Sequence, residues 1–138
     1  MKKIALLGAS GSIGKNTLEI IRRNKDKYQL VAFSVYSQIK MIDEIISEFK
    51  SVKLVSVRSL KEIKETIKKY PKIKFVEKEK GLSEVSKCKC DVVINALVGF
   101  VGLKPTLDAI KSSHDVLLAN KESLVVAGEI IIINISNK

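Results

Sequence analysis

The residues with the clearest capacity for chemistry form a glycine-rich segment near the N-terminus, Gly8-Ala9-Ser10-Gly11-Ser12-Ile13-Gly14. The segment has the form G-x-x-G-x-x-G and follows a short apolar run, Ile4 to Leu7, that is typical of a strand buried on both faces. Apolar residues at helical spacing come after it. A strand, a glycine-rich turn and a helix in this order form the context in which such a motif binds the pyrophosphate of a dinucleotide.

Each glycine of this segment has a physical role in that interpretation. Gly8 allows a tight exit from the strand, Gly11 lets the backbone approach a pyrophosphate, and Gly14 lets the helix pack close to the sheet. The free N–H groups and partial positive charge of the helix N-terminus attract phosphates, and the hydroxyls of Ser10 and Ser12 add donors. The alternative is a purely structural turn in an unrelated α/β protein.

The choice between NADH and NADPH is made at the end of the second strand, where NAD-binding sites commonly place Asp or Glu against the ribose 2′-hydroxyl. The segment from Tyr36 to Lys40, which follows the second predicted strand, contains no carboxylate. A 2′-phosphate would meet no repulsion there, and Ser37, Gln38 and Lys40 offer groups to bind it. This favours NADPH; the alternative is that these are loop and helix-cap residues.

A second polar constellation, Asn120-Lys121-Glu122, follows the last predicted strand, Asp115 to Ala119. Ligands of open α/β sheets bind at the carboxyl ends of the strands, so these side chains are predicted to line the ligand crevice. Asn120 is also suited to be the N-cap of a following helix, and both roles are compatible.

Strands alternate with helices along the whole chain, which predicts an α/β fold: a doubly wound, mostly parallel sheet of the Rossmann-like type. The predicted strands are 4–7, 30–35, 54–57, 73–76, 91–96 and 115–119.

Two details of the intervening helices are also predicted. In the first helix, Ile13, Leu18, Ile20 and Ile21 are expected to share a buried side. In the helix predicted after the strand 54–57, Ser59 is expected to be the N-cap residue, with Glu62 three residues on as its capping-box partner.

Composition narrows the class of protein. A length of 138 residues suits a single domain, and 46% hydrophobic residues argue against disorder. The formal net charge is +10, but the lysines are scattered, so we interpret them as solvated surface rather than as a nucleic-acid site. No run is long enough to span a bilayer. Cys88 and Cys90 lack further metal ligands at suitable spacing and are interpreted as reduced thiols of a cytoplasmic protein.

Three segments together resemble successive motifs of the 1-deoxy-D-xylulose 5-phosphate reductoisomerase family. They are Gly8 to Gly14, Ala96-Leu97-Val98-Gly99-Phe100-Val101-Gly102-Leu103-Lys104-Pro105-Thr106-Leu107, and Leu118-Ala119-Asn120-Lys121-Glu122-Ser123-Leu124-Val125. The resemblance implies an enzyme, typically dimeric, that converts 1-deoxy-D-xylulose 5-phosphate into 2-C-methyl-D-erythritol 4-phosphate in isoprenoid precursor synthesis. Skeletal rearrangement is followed by hydride transfer from NADPH, and a divalent metal, Mg²⁺ or Mn²⁺, is needed.

The resemblance also implies roles for individual residues. Ser10, Gly11, Ser12 and Ile13 would hold the cofactor phosphates. Tyr36, Ser37 and Gln38 occupy the stretch that contacts the 2′-phosphate, although the family usually has a glycine, a basic residue and an asparagine there. Asn120 and Glu122 would bind NADPH near the nicotinamide, and Lys121 would contact the substrate.

The family's metal-binding carboxylates and substrate-phosphate pocket lie beyond the Asn-Lys-Glu-Ser motif. Residues 1–138 are therefore expected to be the NADPH-binding domain of a truncated enzyme, with no metal site, weak NADPH binding and no turnover. The alternatives are another NADP-dependent dehydrogenase, such as a semialdehyde dehydrogenase, and a non-catalytic NAD(P)-binding module.

Overall fold

A parallel β-sheet forms the centre of the molecule. The computed structural model describes residues 1–97, 103–112 and 114–118. In this part of the chain the strands are β1 (Lys2–Leu7), β2 (Tyr28–Val35), β3 (Leu54–Val57), β4 (Lys74–Glu77), β5 (Val92–Asn95) and β6 (Asp115–Leu118). Every pairing is parallel, and the order across the sheet is β4-β3-β2-β1-β5-β6. The predicted doubly wound sheet is confirmed.

Helices cover both faces of this sheet. They are α1 (Ser12–Arg23), α2 (Lys40–Glu48), α3 (Lys64–Lys69), α4 (Lys78–Lys87) and α5 (Leu103–Lys111), and a short 3-10 helix, Leu60–Ile63, leads into α3. One apolar core lies on the side of α1 and α2 around Phe33, and the other lies on the side of α4 and α5 around Val93. Because each strand alternates its side chains between the two cores, the central strands read as continuous apolar runs.

The chain reverses its direction across the sheet at β1. It moves outward from β1 through β2 and β3 to β4, then crosses to β5 on the other side of β1 and continues to β6. The connections that leave β1 and β5 therefore diverge at their carboxyl ends, and a crevice opens between them. The glycine-rich segment follows β1 at this edge.

The predicted buried face of α1 is partly wrong. Ile13 and Ile20 are 46% and 56% exposed, whereas Leu18 and Ile21 are buried as expected. The buried stripe also contains Thr17, whose hydroxyl donates to the Ile13 carbonyl oxygen at 2.8 Å. Helical spacing predicts that α1 has a buried face, but successive residues point about 100° apart around the helix axis. A residue next in sequence to a buried one can therefore point away from the sheet.

The predicted capping box at Ser59 is also wrong. Ser59 precedes the 3-10 helix with extended backbone, but its side chain makes no capping hydrogen bond. The Glu62 carboxylate instead accepts two hydrogen bonds from Arg58, at 3.0 and 3.1 Å. The N–H of Leu60 donates to Glu77 Oε1 at 3.0 Å. A carboxylate at the end of β4 is therefore the acceptor for the first N–H of this 3-10 helix.

Candidate cofactor-binding site

The turn after β1 requires glycine at its first position. Gly8 has φ +81°, a left-handed conformation that side chains disfavour. A Cβ on Gly8 would lie 3.0 Å from the carbonyl oxygen of Ala96 and 3.2 Å from the nitrogen of Leu97. The end of β1 is therefore in close contact with the backbone that follows β5, which confirms the predicted tight exit.

Ser34 braces this turn from the neighbouring strand. The Gly8 N–H donates to the Ser34 hydroxyl oxygen at 2.8 Å, and the Ala9 N–H donates to the Ser34 carbonyl oxygen at 2.9 Å. Sequence reasoning did not assign this role to Ser34. The available signal was a hydroxyl within the otherwise apolar run of β2, where a buried polar side chain needs a partner.

We expect Ser34→Ala to lower the free energy of unfolding by about 1–3 kcal/mol, because it leaves the part-buried Gly8 N–H without its protein acceptor. Urea unfolding measures the effect. Ser56→Ala is the matched control: Ser34 and Ser56 are paired in adjacent strands and are 1% and 0% exposed, but Ser56 accepts no hydrogen bond from the turn. Equal losses in the two variants would contradict the bracing role.

Helix α1 packs directly on the turn at Gly14. A Cβ there would lie 2.1 Å from the Gly8 carbonyl oxygen and 2.7 Å from the Ala9 Cα. No side chain fits at such distances. Gly14 was predicted to allow close packing of the helix on the sheet; the close approach is present, but its partner is the backbone of the turn.

The N-terminus of α1 is open. Gly11 is the N-cap residue, no side chain of the described residues caps the helix, and its first turn carries no acidic residue. Within the same residues, a Cβ on Gly11 would meet only the Gly8 carbonyl oxygen, at 4.0 Å. The first N–H groups of α1 thus keep their partial positive charge available to an incoming anion.

A cleft of about 260 Å³ joins this turn to the ends of β2 and β5. Among the described residues its lining consists of Gly8, Ser10, Gly11, Ser34, Tyr36, Ser37, Ala96 and Leu97. The structure therefore brings together five of the predicted site residues. The other four of the described region, Ser12, Ile13, Gly14 and Gln38, are not in this lining.

The end of β2 is tied to the start of α4. The Tyr36 hydroxyl donates to the Lys78 carbonyl oxygen at 2.6 Å, and burial raises the pKa of Tyr36. Tyr36 thus serves as a neutral wall of the cleft at pH 7. Ser37 and Gln38 are exposed, so the groups predicted to meet a 2′-phosphate face solvent.

Asn95 organises the far side of the cleft. It is fully buried, its amide donates to the Thr106 hydroxyl oxygen at 2.6 Å, and its side-chain oxygen accepts the Leu97 N–H at 3.1 Å. This network joins the end of β5 to α5. Sequence reasoning missed the role of Asn95, although an amide at the end of a buried strand is a recognisable signal.

The Asn120-Lys121-Glu122 constellation lies outside the described residues, so its role stays a prediction. Strand β6 ends at Leu118, which is paired with Asn95, and its carboxyl end therefore lies at the same edge as the cleft. Within residues 1–97, 103–112 and 114–118, no group of three or more His, Cys, Asp or Glu side chains is placed to hold a metal ion. None of the helices in these ranges has the length and apolar character of a membrane span.

Comparison with known proteins decides between the families that share this fold. Residues 4–128 match the family model described as 1-deoxy-D-xylulose 5-phosphate reductoisomerase. The chain belongs to this family. A reductoisomerase of this name from Listeria innocua is 48% identical over 132 residues, which are 95% of this chain and 34% of that protein. The chain thus spans about a third of the length of the curated relatives it matches.

Solved reductoisomerase structures have the same fold. The enzyme from Zymomonas mobilis in complex with NADPH is 30% identical, with a TM-score of 0.88 over 99% of this chain and 36% of that one. A DOX-P reductoisomerase in complex with NADPH, fosmidomycin and magnesium is 32% identical, with a TM-score of 0.91 over 99% of this chain and 34% of that one. These matches confirm the Rossmann-like architecture.

Proposed function

We propose that this chain is the NADPH-binding part of an enzyme that converts 1-deoxy-D-xylulose 5-phosphate into 2-C-methyl-D-erythritol 4-phosphate. The observation that carries the proposal is the N-terminus of α1, beside a cleft at the reversal point of the sheet. It has no acidic residue in its first turn and no side-chain cap from residues 1–97, 103–112 or 114–118. Family membership supports it, as do solved relatives described in complex with NADPH.

The direction of the cofactor across the sheet follows from the strand order. The pyrophosphate lies against the backbone of Ser10 to Ile13, where the helix N-terminus attracts it. The adenosine half extends over β2, towards Tyr36, Ser37 and Gln38. The nicotinamide half extends over β5 and β6, towards Asn120 and Glu122, with Lys121 on the substrate.

Charge favours the phosphorylated cofactor. The segment from Tyr36 to Lys40 has no carboxylate, and the chain carries a formal net charge of +10. A positive field raises the local concentration of a ligand with several phosphate charges. Preference for NADPH over NADH therefore rests on the absence of repulsion together with exposed hydroxyl, amide and ammonium groups.

The proposal also covers the compartment and the oligomeric state of the enzyme. Residues 1–138 form the NADPH-binding domain of a cytoplasmic, dimeric enzyme. The free thiols of Cys88 and Cys90 fit a reducing compartment. Solved relatives are described in complex with magnesium, with and without fosmidomycin. We assign no step to a metal through the described residues, because they offer no cluster of ligands for it.

Calorimetric titration of the folded chain with NADPH tests the proposal. We expect a dissociation constant of roughly 10–100 μM, with NADH at least about tenfold weaker. 2′-Phospho-ADP-ribose should retain most of the affinity, because it carries the pyrophosphate and the 2′-phosphate. Absence of heat with all three ligands, for material whose circular dichroism shows native helix content, would refute nucleotide binding.

A further inference from the structure

Two cysteines lie together at the edge of the sheet opposite to the glycine-rich turn. Cys88 directly follows α4, and one residue, Asp91, separates Cys90 from β5. Both thiols are free and half-buried, and both pack against the apolar core on the side of α4 and α5. Residues two apart have Cα atoms within about 7 Å, and a disulfide spans about 4.4–6.8 Å, so this spacing is compatible with a disulfide.

The two thiols are electrostatically unequal. Donation from the Cys90 thiol lowers the pKa of Cys88. The same hydrogen bond, burial and the negative charge of Asp91 raise the pKa of Cys90. Negative charge is therefore favoured on Cys88, with Cys90 holding the proton.

Only one of the two thiols lines an open basic cleft. This cleft, of about 350 Å³, is bordered by Cys88 and by three lysines, Lys3, Lys53 and Lys89, at the amino ends of the strands. Cys90 is not part of its lining. Ammonium groups that border a cleft attract anionic reaction partners.

We propose that Cys88 and Cys90 form a thiol–disulfide exchange site for small disulfides that carry carboxylates, such as oxidised glutathione. The Cys88 thiolate attacks one sulfur of the disulfide, which forms a mixed disulfide and releases one thiolate. Cys90 then gives its proton to water and attacks Cys88 Sγ, which forms the Cys88–Cys90 disulfide and releases the second thiolate. Two protein thiols are oxidised, one small disulfide is reduced to two thiols, and these take up the two protons lost by the protein.

Mass spectrometry after acid quenching tests this sequence of steps. The reduced chain, incubated with oxidised glutathione, should lose the mass of two hydrogen atoms and remain monomeric. Cys90→Ser should stop at a glutathione adduct on Cys88, and Cys88→Ser should react at least about tenfold more slowly. Two persistently reduced thiols, a disulfide-linked dimer, or equal rates for the two variants would overturn the proposal.

Charge in the cleft has its own test. Lys53→Gln combined with Lys89→Gln should slow the reaction with oxidised glutathione about 3–10-fold, but should change the reaction with uncharged 2-hydroxyethyl disulfide by less than about twofold. Equal slowing with both reagents would overturn the assignment of an anionic partner. Far-UV circular dichroism serves as the folding control, because Lys53 and Lys89 are exposed and their replacement should leave the helix content unchanged.

Discussion

Gly14→Ala is expected to disrupt the turn that follows β1 and to lower the free energy of unfolding by about 3 kcal/mol. The new Cβ would lie 2.1 Å from the Gly8 carbonyl oxygen and 2.7 Å from the Ala9 Cα, and all of these are backbone atoms that no rotamer change can move. Relief requires α1 to shift away from the sheet or Gly8 to leave its left-handed conformation. Urea unfolding gives the stability, and titration with NADPH gives the accompanying loss of affinity.

Gly11→Ala in the same turn is the matched control for that result. At Gly11, φ is −79°, which alanine adopts readily, and in the described part of the chain the nearest non-neighbouring atom to a new Cβ is 4.0 Å away. Stability should therefore change by no more than about 0.5 kcal/mol. NADPH affinity should still fall at least about tenfold, because the methyl group occupies space that the pyrophosphate needs. A Gly14→Ala variant as stable as Gly11→Ala would contradict the close packing described above, and unchanged NADPH affinity in Gly11→Ala would place the phosphates elsewhere.

How far the sequence predicts this molecule depends on how local the deciding contacts are. The order of strand, glycine-rich turn and helix was predictable because the turn and its helix involve neighbours in the chain, and the close approach of Gly14 to Gly8 spans six residues. The acceptor for the Gly8 N–H was not predictable, because Ser34 is 26 residues away and on another strand.

The errors have the same origin. The Leu60 N–H donates to Glu77, 17 residues away. The prediction from the local pattern at Ser59 and Glu62 therefore named the wrong residues for capping this helix start. Ile13 and Ile20 were predicted to be buried because apolar spacing identifies a helix face without fixing its rotation against the sheet. Thr17, which occupies that face, becomes compatible with burial only through its hydrogen bond to the preceding turn.

Ser37→Asp is expected to reverse the preference for NADPH. Ser37 lines the cleft beside Gly8 and Gly11, and the adjacent Tyr36 hydroxyl is engaged by the Lys78 carbonyl oxygen, so a new carboxylate would face the ribose directly. Repulsion between this carboxylate and a 2′-phosphate at a separation of a few ångströms is worth about 1.4–2.8 kcal/mol in a half-solvated site, which raises the dissociation constant for NADPH about 10–100-fold. NADH should bind at least as well as before, because a carboxylate there accepts the ribose 2′-hydroxyl. Fluorescence titration with both cofactors measures the ratio.

Ser37→Asn separates charge from shape in this experiment. Its side chain has nearly the size of aspartate but no charge, so the ratio of NADPH to NADH affinity should stay within about threefold of that of the unmodified chain. The difference between the two variants should shrink as salt is added, since exposed charges are screened within about 10 Å at 0.1 M ionic strength. If aspartate weakened both cofactors equally, the ribose would not lie at the end of β2, and the direction proposed for the cofactor across the sheet would be wrong.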